Sequence, residues 1–109
     1  MSWLLCDGNV LAAADVAEGM RARAKGLLGR DDYAGAMVLP RTRSVHTFGM
    51  RFALDVAFCD RDLVVLDVAR VPPYRLALPR RRARTVVEAQ AGAFERWGLH
   101  VGDRLELRG

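Results

Sequence analysis

The chain has 109 residues, 51% of them hydrophobic, and 17 Lys and Arg against 13 Asp and Glu give a net charge of +4. That length makes one domain, spanning 1–109, with a single modest core, and the apolar share excludes a disordered chain. No stretch approaches the roughly 18 apolar residues of a membrane span.

The start, MSWLLCDGNV, lacks the basic region and long apolar run of an export signal, so a cytoplasmic location with reduced thiols is expected. Lys25 is the only lysine, so arginine carries the basic excess. Arginine forks suit phosphate and carboxylate partners, although an arginine-biased composition is the plainer explanation.

In chain order, Trp3–Cys6 forms a short strand, and Asp7-Gly8-Asn9 turns it into a second strand over Val10–Ala13. Residues 16–29 predict a helix. Val16, Met20, Ala24 and Leu27 or Leu28 recur at helical spacing, with Asp15 as N-cap and Gly29 as the stop. Ala36–Leu39 is a strand ended by Pro40.

Residues 44–59 supply one or two strands, in which Phe48, Met50, Phe52, Leu54, Val56 and Phe58 share a core side. Gly49, Arg51, Ala53 and Asp55 share the other. Asp60-Arg61-Asp62 turns the chain into a strand over Leu63–Val71, closed by Pro72-Pro73. An irregular basic stretch follows over 74–83, then a strand over Arg84–Ala89 and a short helix, Ala91–Trp97, stopped by Gly98. A last strand covers Leu105–Leu107. Many short strands without βαβ spacing predict a mainly β, antiparallel sandwich or barrel-like domain with one longer and one short helix.

Three segments carry a family resemblance: Arg21-Ala22-Arg23-Ala24-Lys25-Gly26-Leu27-Leu28-Gly29-Arg30, His46-Thr47-Phe48-Gly49-Met50-Arg51-Phe52-Ala53-Leu54-Asp55-Val56, and the run from Val87-Glu88 through Ala91-Gly92 and Gly98-Leu99 to Gly102-Asp103. In this order they resemble the small prokaryotic proteins grouped as domain of unknown function 192. The resemblance spans roughly residues 10–107 and implies the same compact β-domain. Ala53 departs from the family's usual proline, and Leu63 from the glycine that often follows the D-R-D turn. A plain two-residue loop there would set Asp55 on one face with Leu66 and Val68. A one-residue bulge at Leu63, which the family's turn favours, would set it with Asp67.

The leading functional expectation is a non-enzymatic binding or accessory module for a small molecule or protein. Its shallow polar site would lie on a 49–55 strand, with His46, Arg51, Asp55 and Asp67 as candidate ligand-binding residues and Arg30 packed beside them. A guanidinium and a carboxylate flanking small side chains make a plausible pocket floor. The second expectation is a small hydrolase or carbohydrate-active enzyme using Asp55 and Asp67 with His46, which requires both carboxylates on one face.

The third is nucleic-acid binding through Arg80, Arg81, Arg82 and Arg84, which is not favoured because Tyr74 is the only nearby ring. A lone histidine is more often structural than catalytic. No glycine loop or nucleophile elbow occurs. The two cysteines and two histidines lie in no ligand spacing, so no metal or cofactor is expected.

Overall fold

The computed structural model describes residues 2–17 and 32–109. Nine strands are described, β1 (Ser2–Cys6), β2 (Asn9–Val16), β3 (Ala36–Pro40), β4 (Val45–His46), β5 (Leu54–Cys59), β6 (Val65–Val71), β7 (Leu76–Ala77), β8 (Thr85–Gln90) and β9 (Leu105–Arg108), with one short helix, α1 (Ala93–Trp97). Seven strands form one sheet in the order β6-β5-β8-β3-β2-β1-β9, while β4 and β7 pair separately.

The large sheet curls until its edges meet at one corner. There Val64 bridges Arg104, Leu105 donates its N–H to the Leu63 carbonyl, and Val65 donates to Asp103. The expected sandwich or barrel is therefore a single curled sheet closed at one corner.

Each face of the sheet carries a core. Inside the curl lie Leu4, Ala14, Val38, Ala57, Cys59, Val65, Val87, Leu99 and Leu105, covered by Phe94 and Trp97 of α1. On the other face lie Met37, Leu39, Leu54, Val56, Phe58, Val71 and Val86, with Val45, Met50 and Ala77 packed over them from the small sheet. β5 is consequently buried on both sides along its whole length. That burial explains its near-continuous apolar sequence, each large side chain contributing about 2 kcal/mol.

Three local features depart from the expectations. β2 runs on through Val16, which pairs with Val38 in the one parallel ladder of the described sheet, and Ala17 donates its N–H to the Val38 carbonyl. Val16 is thus a strand residue rather than the first of a helix. Asp15 is no N-cap, since its carboxylate accepts the Tyr33 hydroxyl. The rest of the helix expected over 16–29, and Arg30 with it, lies outside the described residues. The chain enters β3 at Gly35, where a Cβ would sit 2.7 Å from the Ala13 carbonyl oxygen at φ +107°, so only glycine fits.

The second departure is over 47–53, where the alternation breaks. Met50 donates its N–H to the Thr47 carbonyl across a turn, and Gly49 adopts φ +82°. Met50 and Phe52 still reach the core, but Phe48 is 53% exposed.

The third is the register of β5 with β6. Leu63 takes φ +61°, giving the bulged turn, with Leu63 N–H bonded to the Asp60 carbonyl and Asp60 N–H to that of Val64. A further irregularity follows, because Cys59 pairs with Val65 while Phe58 pairs with Asp67, leaving Leu66 as an extra residue. Two one-residue shifts cancel in parity. Asp67 therefore lies on the Phe58 face and Asp55 on the opposite one.

Candidate functional site

Asp55 is buried, and its carboxylate is fully engaged. One oxygen accepts the N–H groups of Gly92 (2.9 Å) and Phe94 (3.2 Å), and the other accepts Nε of Arg70 at 3.1 Å. Gly92 and Phe94 begin α1, so a strand residue caps the helix from across the core. A shallow cleft of about 340 Å³ opens beside this clasp, lined by Asp55, Val68, Arg70, Phe94 and Glu95. The expected site on a 49–55 strand does not form: residues 47–53 turn, and Asp55 faces the inner core.

The other expected members are dispersed. His46 is exposed in β4, opposite Leu76 and stacked on Phe48 with ring centroids 5.5 Å apart. Arg51 is exposed on the turn. Asp67 accepts Nε of Arg80 at 2.9 Å, and the same guanidinium lies 4.2 Å above the Phe58 ring. With Asp55 and Asp67 on opposite faces, the carboxylate pair needed for hydrolysis is absent, and that expectation falls. Among the described residues no group of three His, Cys, Asp or Glu is placed to hold a metal ion.

Two residues outside the expected site are central. Thr47 is fully buried and ties the two excursions of the chain together. Its hydroxyl donates to the Pro72 carbonyl and accepts the Arg75 N–H, while its own carbonyl accepts from Met50 and Tyr74. Glu88, in β8 between Met37 and Val56, is buried with Oε1 lacking any partner, and burial pushes its carboxyl up to about 7. The one available signal was an acid between the apolar residues of a strand, VVEA.

Both cysteines are free; Cys6 is partly exposed, whereas burial pushes the Cys59 thiol up to about 12. Iodoacetamide at pH 8 is expected to modify one equivalent of thiol in the native protein and a second only after denaturation. Two equivalents at comparable rates in native protein would contradict this burial.

What the fold does assemble is a ribbon. Residues 41–48 run beside 72–84: Thr42 N–H bonds the Arg84 carbonyl, Arg80 N–H that of Arg43, Val45 pairs with Ala77, and Thr47 N–H bonds that of Arg75. These two segments contain Arg41, Arg43, Arg75, Arg80, Arg81, Arg82 and Arg84 and not one acidic residue. Arg80 anchors the ribbon to the sheet through Asp67 and Phe58.

Arg75 and Arg84 bond only to nearby backbone carbonyls, and Arg41, Arg43, Arg81 and Arg82 have no side-chain partner among the described residues. Phe48, Tyr74, Leu76 and Leu78 are all more than half exposed along it. At one end a polar cleft of about 330 Å³ is lined by Arg81, Arg82, Arg84, Arg61, Asp60 and Asp62.

A family model catalogued as DUF192 and described as an uncharacterized ACR matches residues 5–107. A UPF0127 protein of Pyrococcus furiosus is 41% identical over 78 residues, covering 68% of this chain and 67% of the relative. A UPF0127 protein of Pyrococcus horikoshii is 34% identical over 96 residues, covering 84% of each.

Two crystal structures share the fold. A protein of unknown function from Novosphingobium aromaticivorans superposes with a TM-score of 0.80 at 22% identity, over 96% of this chain and 82% of that one. A Sinorhizobium meliloti protein, provisionally described as a transcription regulator, also gives 0.80, at 24% identity over 96% and 90%. No described helix is long and apolar enough to cross a membrane.

Proposed function

The chain belongs to the DUF192 family, and we propose that it acts as a non-enzymatic binding module whose contact surface is the ribbon of 41–48 and 72–84, engaging an anionic partner. The observation that carries this reading is the segregation of charge. Seven arginines share two adjacent segments with no acid, although the chain holds 13 Asp and Glu elsewhere. A surface on which arginines outnumber the adjoining Asp60, Asp62 and Asp67, beside apolar side chains left in solvent, concentrates an oppositely charged partner and gives it something to pack on.

His46 belongs to this surface; Asp55 and Asp67 hold the scaffold that presents it. The free thiols of Cys6 and Cys59 suit the cytoplasm.

Retention on immobilised heparin tests the reading. The double variant Arg81→Glu/Arg82→Glu is expected to elute at markedly lower salt than the parent protein. The charge-matched control Arg104→Glu/Arg108→Glu, on and beside β9, should shift elution far less. Equal shifts would mean that only net charge matters, and the ribbon would lose its claim.

A further inference from the structure

We propose that the ribbon's partner is single-stranded nucleic acid, held by arginine on phosphate and by Phe48 and Tyr74 on base faces; this rests on the binding reading above. Three observations converge on it. First, the ribbon that carries the arginines also carries ring faces, at the end where Arg75 lies. His46 and Phe48 are stacked at an interplanar angle of 22°, with Phe48 half in water, so the pair presents a ring face that a base can extend.

Second, Tyr74 leaves the opposite strand beside the Thr47–Arg75 junction at φ +61°, with its side chain 63% exposed. A tyrosine in the left-handed region is uncommon, and here the Thr47 carbonyl holds its N–H while its ring lies largely in solvent.

Third, guanidinium groups continue along the ribbon away from these rings, most of them at its far end. Arg41 and Arg43 lie on one segment, and Arg81, Arg82 and Arg84 lie on the other at the same end, while Arg75 sits beside Tyr74. Side by side, the segments offer about 20 Å of track, enough for about four nucleotides, the small end of single-strand footprints.

The alternatives use less of what is present. A duplex hides its base faces in the stack, so it would meet the arginines and leave Phe48 and Tyr74 idle. An acidic peptide would likewise use charge without ring faces. An anionic bilayer would accept the exposed leucines, Leu76 and Leu78, but gains nothing from a stacked His46–Phe48 pair.

Fluorescence anisotropy with labelled dT12 and U12, a 12-base-pair duplex, and vesicles containing one-third phosphatidylserine decides among them. Single strands are expected to bind at least tenfold more tightly than the duplex. Log K should fall with log salt at a slope of about −2 to −3.5, from some three to five phosphate contacts at about −0.7 each. Phe48→Ala and Tyr74→Gly should each weaken dT12 binding about five- to thirtyfold while heparin retention stays within experimental error.

Tyr74→Gly relieves the left-handed strain, so its thermal midpoint should not fall, and lost binding cannot then be ascribed to unfolding. Duplex binding as tight as single-strand binding, or indifference to both ring variants, overturns the stacking inference and leaves the anionic-partner reading standing. Preference for the vesicles over dT12 replaces nucleic acid by membrane. Failure to bind any of these probes, together with loss of heparin retention, brings down both.

Discussion

Replacing Asp55 by alanine is expected to cost about 3 kcal/mol of stability, read as a shift in the urea midpoint at unchanged slope. The carboxylate accepts three hydrogen bonds, two of them from the first N–H groups of α1. Removing it leaves the N–H of the buried Phe94 without an acceptor, at the end of the helix that covers the inner core.

Asp55→Asn keeps one acceptor oxygen and should cost less, about 1 kcal/mol. Arg70→Ala should cost under about 1 kcal/mol, because the Arg70 side chain is 58% exposed and its pair is screened by water. The order Ala, then Asn, then the Arg70 variant distinguishes a helix cap from an ion pair. If Arg70→Ala proved as damaging as Asp55→Ala, the guanidinium rather than α1 would be the partner that matters.

Glu88→Gln should instead stabilise the protein, and only in one pH range. Burial raises the folded-state pKa from 4.5 to about 7, so between those values the folded protein holds a proton that the unfolded chain releases. Stability from this group is complete below about pH 4.5 and is lost as the pH rises through about 7. Above that, the full deficit applies, at most about 3 kcal/mol for a shift of this size.

An amide does not ionise but is itself costly to bury, so the net gain at pH 8 should be about 1–3 kcal/mol, with no gain at pH 4.5. Denaturation of both proteins at pH 4.5, 6 and 8 measures it. A parent protein whose stability did not fall across that interval would show that Glu88 finds a partner in solution.

Much of the fold was legible in the chain because local chemistry decided it. Asp7-Gly8 sits at positive φ in both residues of a two-residue hairpin loop, as such a dipeptide should. Pro40 ends β3, and Gly98 stops α1 in the left-handed conformation. The β2–β3 ladder was not legible, because parallel pairing depends on where the chain returns and leaves no mark on four or five residues.

The site was misread for a related reason. Strict alternation from Phe48 to Phe58 is what a strand requires, but a turn can occupy part of it at no cost to the pattern. Thr47, whose buried hydroxyl decides where that turn falls, looks like any other threonine. The parity of Asp67 needed two irregularities to be counted, and Leu66 carries no signal for the second. The ribbon was half visible: the Arg80–Arg84 run stood out, but its aromatic companions come from residues 46–48, some thirty positions away.

The closed corner at Val64 and Arg104 bears on the exposed flanks of the sheet. A curled sheet has two open flanks, here β6 and β9, and exposed flanks recruit strands from other molecules. Joining them for even a few residues blunts both at once, and each then guards the other. The same joint ties together distant parts of the chain, since β9 also pairs with β1, setting Leu4 opposite Leu107. Until β9 is added, the sheet order leaves β6 and β1 as its flanks, so the contacts of greatest sequence separation are also the ones that close it.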